Sequence, residues 1–164
     1  MNIFFPFIDE QWFGDIAKYI GGIIRRNGIR SFEVKLAEFD VWDRVKSGLV
    51  TGMQTVFLKP SGCDTEMQEL WDCLKGEWPI CAGKHGDSEF HPHLTCGKYS
   101  VTALMDQSYA HPRGLLGTMN SQWKEKGSLS FECNELCLIS RRGNDPFVVR
   151  HRIPLLPNAS SFNW

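Results

Sequence analysis

Residues 90–97 read Phe-His-Pro-His-Leu-Thr-Cys-Gly, and this stretch decides how the rest of the chain is interpreted. It predicts a β-strand whose side chains alternate between two faces, so that His93 and Thr95 share one face while Leu94 and Cys96 share the other. A histidine exchanges a proton near neutral pH, and a threonine hydroxyl donates a hydrogen bond to an anionic oxygen. The pattern indicates a strand that presents a proton carrier beside a ligand for phosphate oxygens, above an apolar inner face.

The segments on either side alternate between strand-like and helical patterns. The predicted elements are, in chain order, a strand over residues 2–7, a helix over 9–26, strands over 31–42 and 54–58, a helix over 65–76, the strand around residue 93, a helix ending at 127, and strands over 129–141 and 147–155. This order predicts an α+β fold with mainly antiparallel sheets, and the chain length fits a single domain over residues 1–164 that is built from two lobes.

Local signals refine these elements. Asp9 is the expected N-cap of the first helix, and Asn27-Gly28 is expected to end it. Its buried stripe is predicted to contain Trp12, Ile16, Ile20, Ile23 and Ile24. The apolar pattern of the long strand changes phase at Ala37, which predicts a bulge or a bend. Thr65 and Gln68 have the spacing of a capping box at the start of the second helix. The predicted core stripe of that helix is Met67, Leu70, Trp71 and Leu74.

The composition excludes several classes of protein. With 42% hydrophobic and 12% aromatic residues the chain forms a core, and a net charge of −1 leaves no global attraction for nucleic acid or an anionic membrane. We find neither a run of about 18 apolar residues nor a signal peptide, so we expect no membrane contact and a cytoplasmic location. The 6 cysteines form no C-x-x-C pair and are expected to be reduced thiols.

Four stretches together resemble one known family. Residues 90–97 resemble the second H-x-[ST]-x motif of the two-histidine phosphoesterase superfamily, in the branch of 2′-5′ RNA ligase-like proteins and cyclic phosphodiesterases. The other three stretches are residues 2–7, which resemble the strand of the first motif, residues 55–60, and the two strands of a closing hairpin at 138–142 and 146–150. The resemblance runs from Asn2 to about Leu155.

The resemblance implies a fold and a mechanism. The fold would have two lobes of antiparallel sheet with helices on the outside and a central cleft. One motif histidine would act as base and the other would protonate the leaving oxygen, while the hydroxyl or amide two residues later binds phosphate oxygens. The implied substrates are nucleotides or RNA ends with a 2′,3′-cyclic phosphate or a 2′-5′ linkage. Neither a metal nor another cofactor is implied, and we expect a monomer.

The first motif departs from the family pattern. If Asn2 is the phosphate-binding position of that motif, its histidine falls directly before Met1. Two hypotheses follow: the chain is a phosphoesterase whose second histidine lies upstream, or it is a degenerate module that binds nucleotide or RNA without turnover.

The candidate catalytic residues are therefore His93 and Thr95. Asn2 is a candidate substrate-binding residue from the resemblance, and Tyr99 could stack on a base. Arg150 is the third such candidate, because residues 141–152 hold four arginines against one aspartate and arginine pairs well with phosphate. On the predicted strand, Arg150 and Arg152 share a face.

A zinc site is the rival interpretation of the same region. Its possible ligands, which lie within 16 residues, are Cys81, His85, His91, His93 and Cys96. Their spacing matches no familiar ligand pattern, and His93 and Cys96 are predicted to project from opposite faces of the strand.

Overall fold

The computed structural model describes residues 1–4, 7–42, 45–46, 49–50, 53–81, 90–100 and 112–158. The helices are α1 (Phe13–Asn27), α2 (Asp64–Glu77) and α3 (Pro112–Glu125), with 3₁₀ turns at Glu10–Trp12 and Pro79–Cys81. The strands are β1 (Phe32–Trp42), β2 (Val45–Lys46), β3 (Leu49–Val50), β4 (Met53–Ser61), β5 (Leu94–Ser100), β6 (Leu129–Cys133), β7 (Glu135–Ser140) and β8 (Val148–Pro154). This is the mixed α+β architecture that the sequence predicts.

Among these strands, four form one sheet in the order β5-β4-β1-β6, and β4 is antiparallel to both β1 and β5. Two further antiparallel pairs are β2-β3 and β7-β8. The register between β1 and β4 shifts between Leu36 and Glu38, so Ala37 is the bulged residue. The phase change in the sequence is thereby confirmed as a β-bulge.

The chain divides into two compact units. The first unit comprises Met1–Asn2, Val34–Gly62 and His91–Phe131; the second comprises Ile3–Glu33, Cys63–Phe90 and Glu132–Trp164. The first therefore contains β4, β5, α3 and most of β1, and the second contains α1, α2 and the β7-β8 hairpin.

In the second unit, the end of α1 is the predicted one but its start is not. The Asp9 carboxylate accepts a hydrogen bond from the Gln11 N–H at 3.0 Å and therefore caps the 3₁₀ turn at Glu10–Trp12. The N-cap of α1 is Trp12, which makes no side-chain capping bond, so the prediction for Asp9 is wrong. Gly28 ends the helix with a left-handed φ of 66° that a side chain would disfavour. The buried face of α1 contains Ile20, Ile23 and Ile24, as predicted. The prediction for Trp12 is wrong: it lies in the 3₁₀ turn before the helix and is 55% exposed.

The second helix keeps its predicted core stripe, because Met67, Leu70, Trp71 and Leu74 are all buried. Its start differs from the prediction. The helix begins at Asp64 after Cys63, which makes no side-chain capping bond, so Thr65 lies inside the first turn and the capping box is wrong. Carboxylates in that turn complement the positive end of the helix dipole instead.

In the first unit, α3 is attached to β1 by two polar side chains. The Asn120 amide accepts a hydrogen bond from the Phe39 N–H at 2.6 Å and donates one to the Phe39 carbonyl at 3.1 Å, as a neighbouring strand would. Trp123 donates its indole N–H to the Leu36 carbonyl at 2.7 Å and packs against the Phe39 ring. These bonds satisfy backbone groups of β1 that would otherwise need another partner.

Two predicted strands are corrected. Residues 1–4 and 7–9 of the strand predicted at the amino end form no strand, and positions 5 and 6 of that prediction lie outside the described residues. The Phe4 ring stacks on the Phe7 ring with centroids 5.7 Å apart. The single strand predicted over 129–141 is two strands, because Asn134 leaves the ladder and its carbonyl accepts a hydrogen bond from Leu155. No helix of the described residues has the length and apolar character needed to cross a membrane.

Candidate active site

His93 lies directly before β5, one residue outside the strand in which it was predicted. Its ring is half-buried, and Nδ1 lies 2.9 Å from the backbone carbonyl oxygen of His91. A carbonyl oxygen can only accept, so Nδ1 carries the hydrogen of that bond. When the ring is neutral, Nε2 is therefore unprotonated and can accept a proton.

Two aromatic rings fix the orientation of the imidazole. Trp42, the last residue of β1, has its ring centroid 4.2 Å from that of His93 with an interplanar angle of 62°. The ring centroid of Phe57, in β4, lies 5.6 Å from that of His93 and 4.9 Å from that of Trp42. Phe57 is only 5% exposed, whereas Trp42 is 41% exposed, so Phe57 forms the floor of this three-ring cluster.

Thr95 lies on the same face of the sheet as this cluster, because it pairs directly with Phe57 in the antiparallel register. Its side chain is exposed, and its hydroxyl hydrogen-bonds to none of the described residues. The shared face predicted for His93 and Thr95 fits this register. The apolar inner face predicted opposite them is wrong, since Leu94 is 36% exposed and Cys96 is also exposed.

A bulge in β5 changes which residues share that face. Val56 pairs with Gly97 and Phe57 pairs with Thr95, so Cys96 is the additional residue that has no cross-strand partner. Beyond the bulge the alternation is shifted by one, and Lys98 pairs with Thr55. Lys98 therefore shares the face of Thr95, where simple alternation would put it on the opposite face. An exposed ammonium and an exposed hydroxyl together suit an anionic ligand.

Arg150 belongs to the second unit and occupies a bulge of its own. Leu138 pairs with His151 and Ile139 pairs with Val149, so Arg150 has no direct partner in β7. Its Nε lies 3.0 Å from the Glu10 carboxylate and donates to Ser140 Oγ at 2.9 Å. Ser140 in turn donates to the other Glu10 oxygen at 2.6 Å.

This network holds the guanidinium by Nε alone. Among the described residues, the two terminal nitrogens of Arg150 have no hydrogen-bond partner, and they are the pair that can bind a phosphate with two parallel bonds. The prediction that Arg150 and Arg152 share a face is wrong. Arg152 pairs with Glu135 whereas Arg150 contacts Ser140, and those two residues lie on opposite faces of β7.

The remaining candidates are placed as follows. Asn2 is exposed and belongs to the first unit with His93 and Thr95. Tyr99 pairs with Gln54 in the β4–β5 register, but its side chain lies outside the described part of the structure, so its stacking role stays a prediction. No three His, Cys, Asp or Glu side chains of the described residues form a metal-binding group, and His85 lies outside those residues.

Sequence reasoning missed Trp42, Lys98 and Glu10. Trp42 is the last residue of β1, and it lies near His93 because β1 pairs with β4 and β4 pairs with β5. Lys98 shares the face of Thr95 only because of the bulge at Cys96. Glu10 is separated from Arg150 by 140 positions and from Ser140 by 130. The one usable signal was Gly97 beside a small thiol, since glycine inside a strand often marks a bulge.

Comparison with known proteins identifies the family. The family profile described as the 2′-5′ RNA ligase superfamily matches residues 1–145, which cover most of the chain and include every candidate except Arg150. No curated protein matches the chain.

Proposed function

Because this chain belongs to the 2′-5′ RNA ligase superfamily, we propose that it is a phosphoesterase that acts on nucleotides or RNA ends carrying a 2′,3′-cyclic phosphate or a 2′-5′ linkage. The observation that carries the proposal is the His93 ring, which is held at Nδ1 by a backbone carbonyl and shares a face with the unpaired hydroxyl of Thr95. That arrangement supplies a proton carrier and a phosphate ligand side by side.

In the proposed reaction His93 transfers one proton through Nε2. Opening a cyclic phosphate with water requires that a base takes a proton from water while an acid gives one to the departing ribose oxygen. The superfamily pattern assigns the second of these roles to the position directly before Met1. Thr95 donates a hydrogen bond to a non-bridging oxygen, where negative charge increases in the transition state, and Lys98 adds a positive charge on the same face.

The other substrate contacts follow from the same proposal. The Asn2 amide donates to a phosphate oxygen, and the terminal nitrogens of Arg150 bind phosphate. Since all six cysteines are free thiols, we propose the cytoplasm as the location. The monomeric state remains a prediction.

Turnover of adenosine 2′,3′-cyclic phosphate tests the proposal. We would compare the 164-residue chain with the same chain carrying one additional histidine before Met1, in the presence of a chelator, and separate the 2′- and 3′-phosphate products by chromatography. We expect the chain with the added histidine to open the ring, and His93→Ala to lower its rate by about 100-fold or more. Thr95→Val, which keeps the shape but removes the donor, is expected to lower the rate by about tenfold or more.

His151→Gln is the matched control, because it removes an imidazole from β8 rather than from the site. It should keep the rate within about twofold of its parent. If His93→Ala retains the parental rate, the assignment of His93 is wrong. Binding of adenosine 2′-monophosphate with no turnover by either form would favour the non-catalytic binding module instead.

A further inference from the structure

The indole of Trp42 is a large apolar side chain that contacts the His93 ring and remains open to solvent. It is 41% exposed, whereas the neighbouring Phe57 is 5% exposed. The β-sheet register surrounds it with polar positions on the same face: Thr55 lies directly opposite, and Asp40 and Lys98 are the next neighbours. The open part of the indole therefore faces solvent beside the candidate site rather than the core.

The indole is also held in place. Its ring is tilted by 46° against Phe57 and makes an edge contact with His93, so two of its neighbours restrict its rotation. Its N–H donates to none of the described residues, in contrast to Trp123, whose indole N–H is bonded to the Leu36 carbonyl. A restrained aromatic ring can stack on a flat ligand, and an indole N–H without a partner among the described residues can donate to a polar group beside it.

We propose that Trp42 is the stacking surface for the nucleobase of the substrate. The inference rests on the proposed function, because it takes the phosphate to be bound at His93 and Thr95. A base in van der Waals contact with the indole lies about 3.5 Å from it. The imidazole centroid lies 4.2 Å from that of the indole, so a base on the indole would lie next to a phosphate bound at the imidazole.

A single exposed indole suits one base rather than a protein partner. Its immediate surroundings are charged and hydroxyl side chains, whereas the centre of a protein interface is depleted in charge. Stacking depends on the π-face that every base has, so Trp42 selects for the presence of a base and favours the larger purines over pyrimidines. The substrate class is therefore a nucleotide or an RNA end, and a base-free ribose phosphate is a poor ligand.

Two ligands that differ only in the base test this inference: adenosine 2′-monophosphate, and the corresponding methyl ribofuranoside phosphate. We expect the wild-type chain to bind the adenosine ligand about tenfold more tightly or better in calorimetric titrations. Trp42→Leu should remove that preference, so that the variant binds the two ligands with similar affinity. Trp42→Phe should retain most of the preference, because it keeps an aromatic face.

Trp12→Leu is the matched control, since it removes another exposed indole from the second unit. It should leave the preference intact. An unchanged preference in Trp42→Leu, or an equal loss of affinity for both ligands, would overturn the inference. Neither outcome depends on turnover, so failure of the hydrolysis experiment and failure of the stacking experiment are distinguishable.

A second measurement needs no substitution in the protein that is tested. After incorporation of 5-fluorotryptophan, the 6 tryptophans give separate fluorine resonances, and the resonance absent from Trp42→Phe identifies Trp42. We expect that resonance to shift with the adenosine ligand and not with the base-free one. The inference is wrong if the Trp42 resonance does not shift at saturating adenosine ligand. This measurement also tests the inference if Trp42→Leu does not fold.

Discussion

Removal of the Glu10 charge should strengthen phosphate binding at Arg150. The substitution Glu10→Gln keeps the size of the side chain and an oxygen that can accept from Arg150 Nε, but it removes the negative charge 3.0 Å from that nitrogen. The guanidinium then faces a phosphate without a competing carboxylate on its other side. In the wild-type protein, the Glu10 carboxylate both orients the Arg150 guanidinium and partly neutralises its charge. Glu10→Gln removes the charge but keeps an acceptor that can orient Arg150.

The expected size follows from Coulomb's law. A phosphate on the terminal nitrogens and the Glu10 carboxylate on Nε would be about 7 Å apart across the guanidinium. Their repulsion is about 0.6 kcal/mol in water and about 2.4 kcal/mol at an effective dielectric constant of 20. The side chains of Arg150 and Glu10 are 34% and 48% exposed, which favours the lower end of this range. We therefore expect affinity to rise about threefold to tenfold.

The assay is titration with adenosine 2′-monophosphate at two salt concentrations. Glu10→Gln should tighten binding, more so at low salt, whereas Arg150→Met should weaken it. Urea unfolding should show a stability change below about 1 kcal/mol for Glu10→Gln, as expected for a solvent-exposed ion pair. Weaker or unchanged binding by Glu10→Gln at low salt, with the fold intact, would refute the assignment of Arg150 as a phosphate ligand.

Three further predictions concern the fold. Asn120→Ala should lower the free energy of unfolding by about 1–3 kcal/mol in urea titrations, because it removes both bonds to the Phe39 backbone and leaves those groups part-buried. Gly28→Ala should cost about 1–2 kcal/mol in the same assay, since its φ of 66° is disfavoured for residues with a Cβ. Burial, assisted by neighbouring carboxylates, raises the pKa of the Cys63 thiol from 9.0 to about 11. The unfolded chain therefore loses this proton first, so the stability that Cys63 contributes is complete below about pH 9 and is lost as the pH rises towards 11; Cys63→Ala should lack that part of the pH dependence in urea titrations at pH 8, 9 and 10.

Features that depend on local chemistry were predictable from the sequence. The Gly28 stop and the buried stripe of α2 each follow from residues within one or two helical turns. The bulge at Ala37 was visible because apolar side chains continue on both sides of it and reveal the change of phase.

Features that depend on distant pairing were not predictable. The bulge at Cys96 lies in a stretch of exposed residues, so no apolar pattern records the shift that brings Lys98 to the face of Thr95. Trp42 reaches His93 only through the register of β1 on β4 and of β4 on β5. The strand predicted at the amino end failed because strand-like residues form a strand only where a partner strand accepts their hydrogen bonds.

The state of His93 Nε2 is the most direct test of the proposed phosphoesterase site. Long-range ¹H–¹⁵N spectra resolve both ring nitrogens of the 5 histidines, and His93→Ala identifies the residue. At a pH where the ring is neutral, we expect His93 to carry its proton on Nδ1 and its Nε2 resonance to move when adenosine 2′-monophosphate is added. A neutral His93 protonated on Nε2, or an Nε2 resonance unmoved at saturating ligand, would contradict the account.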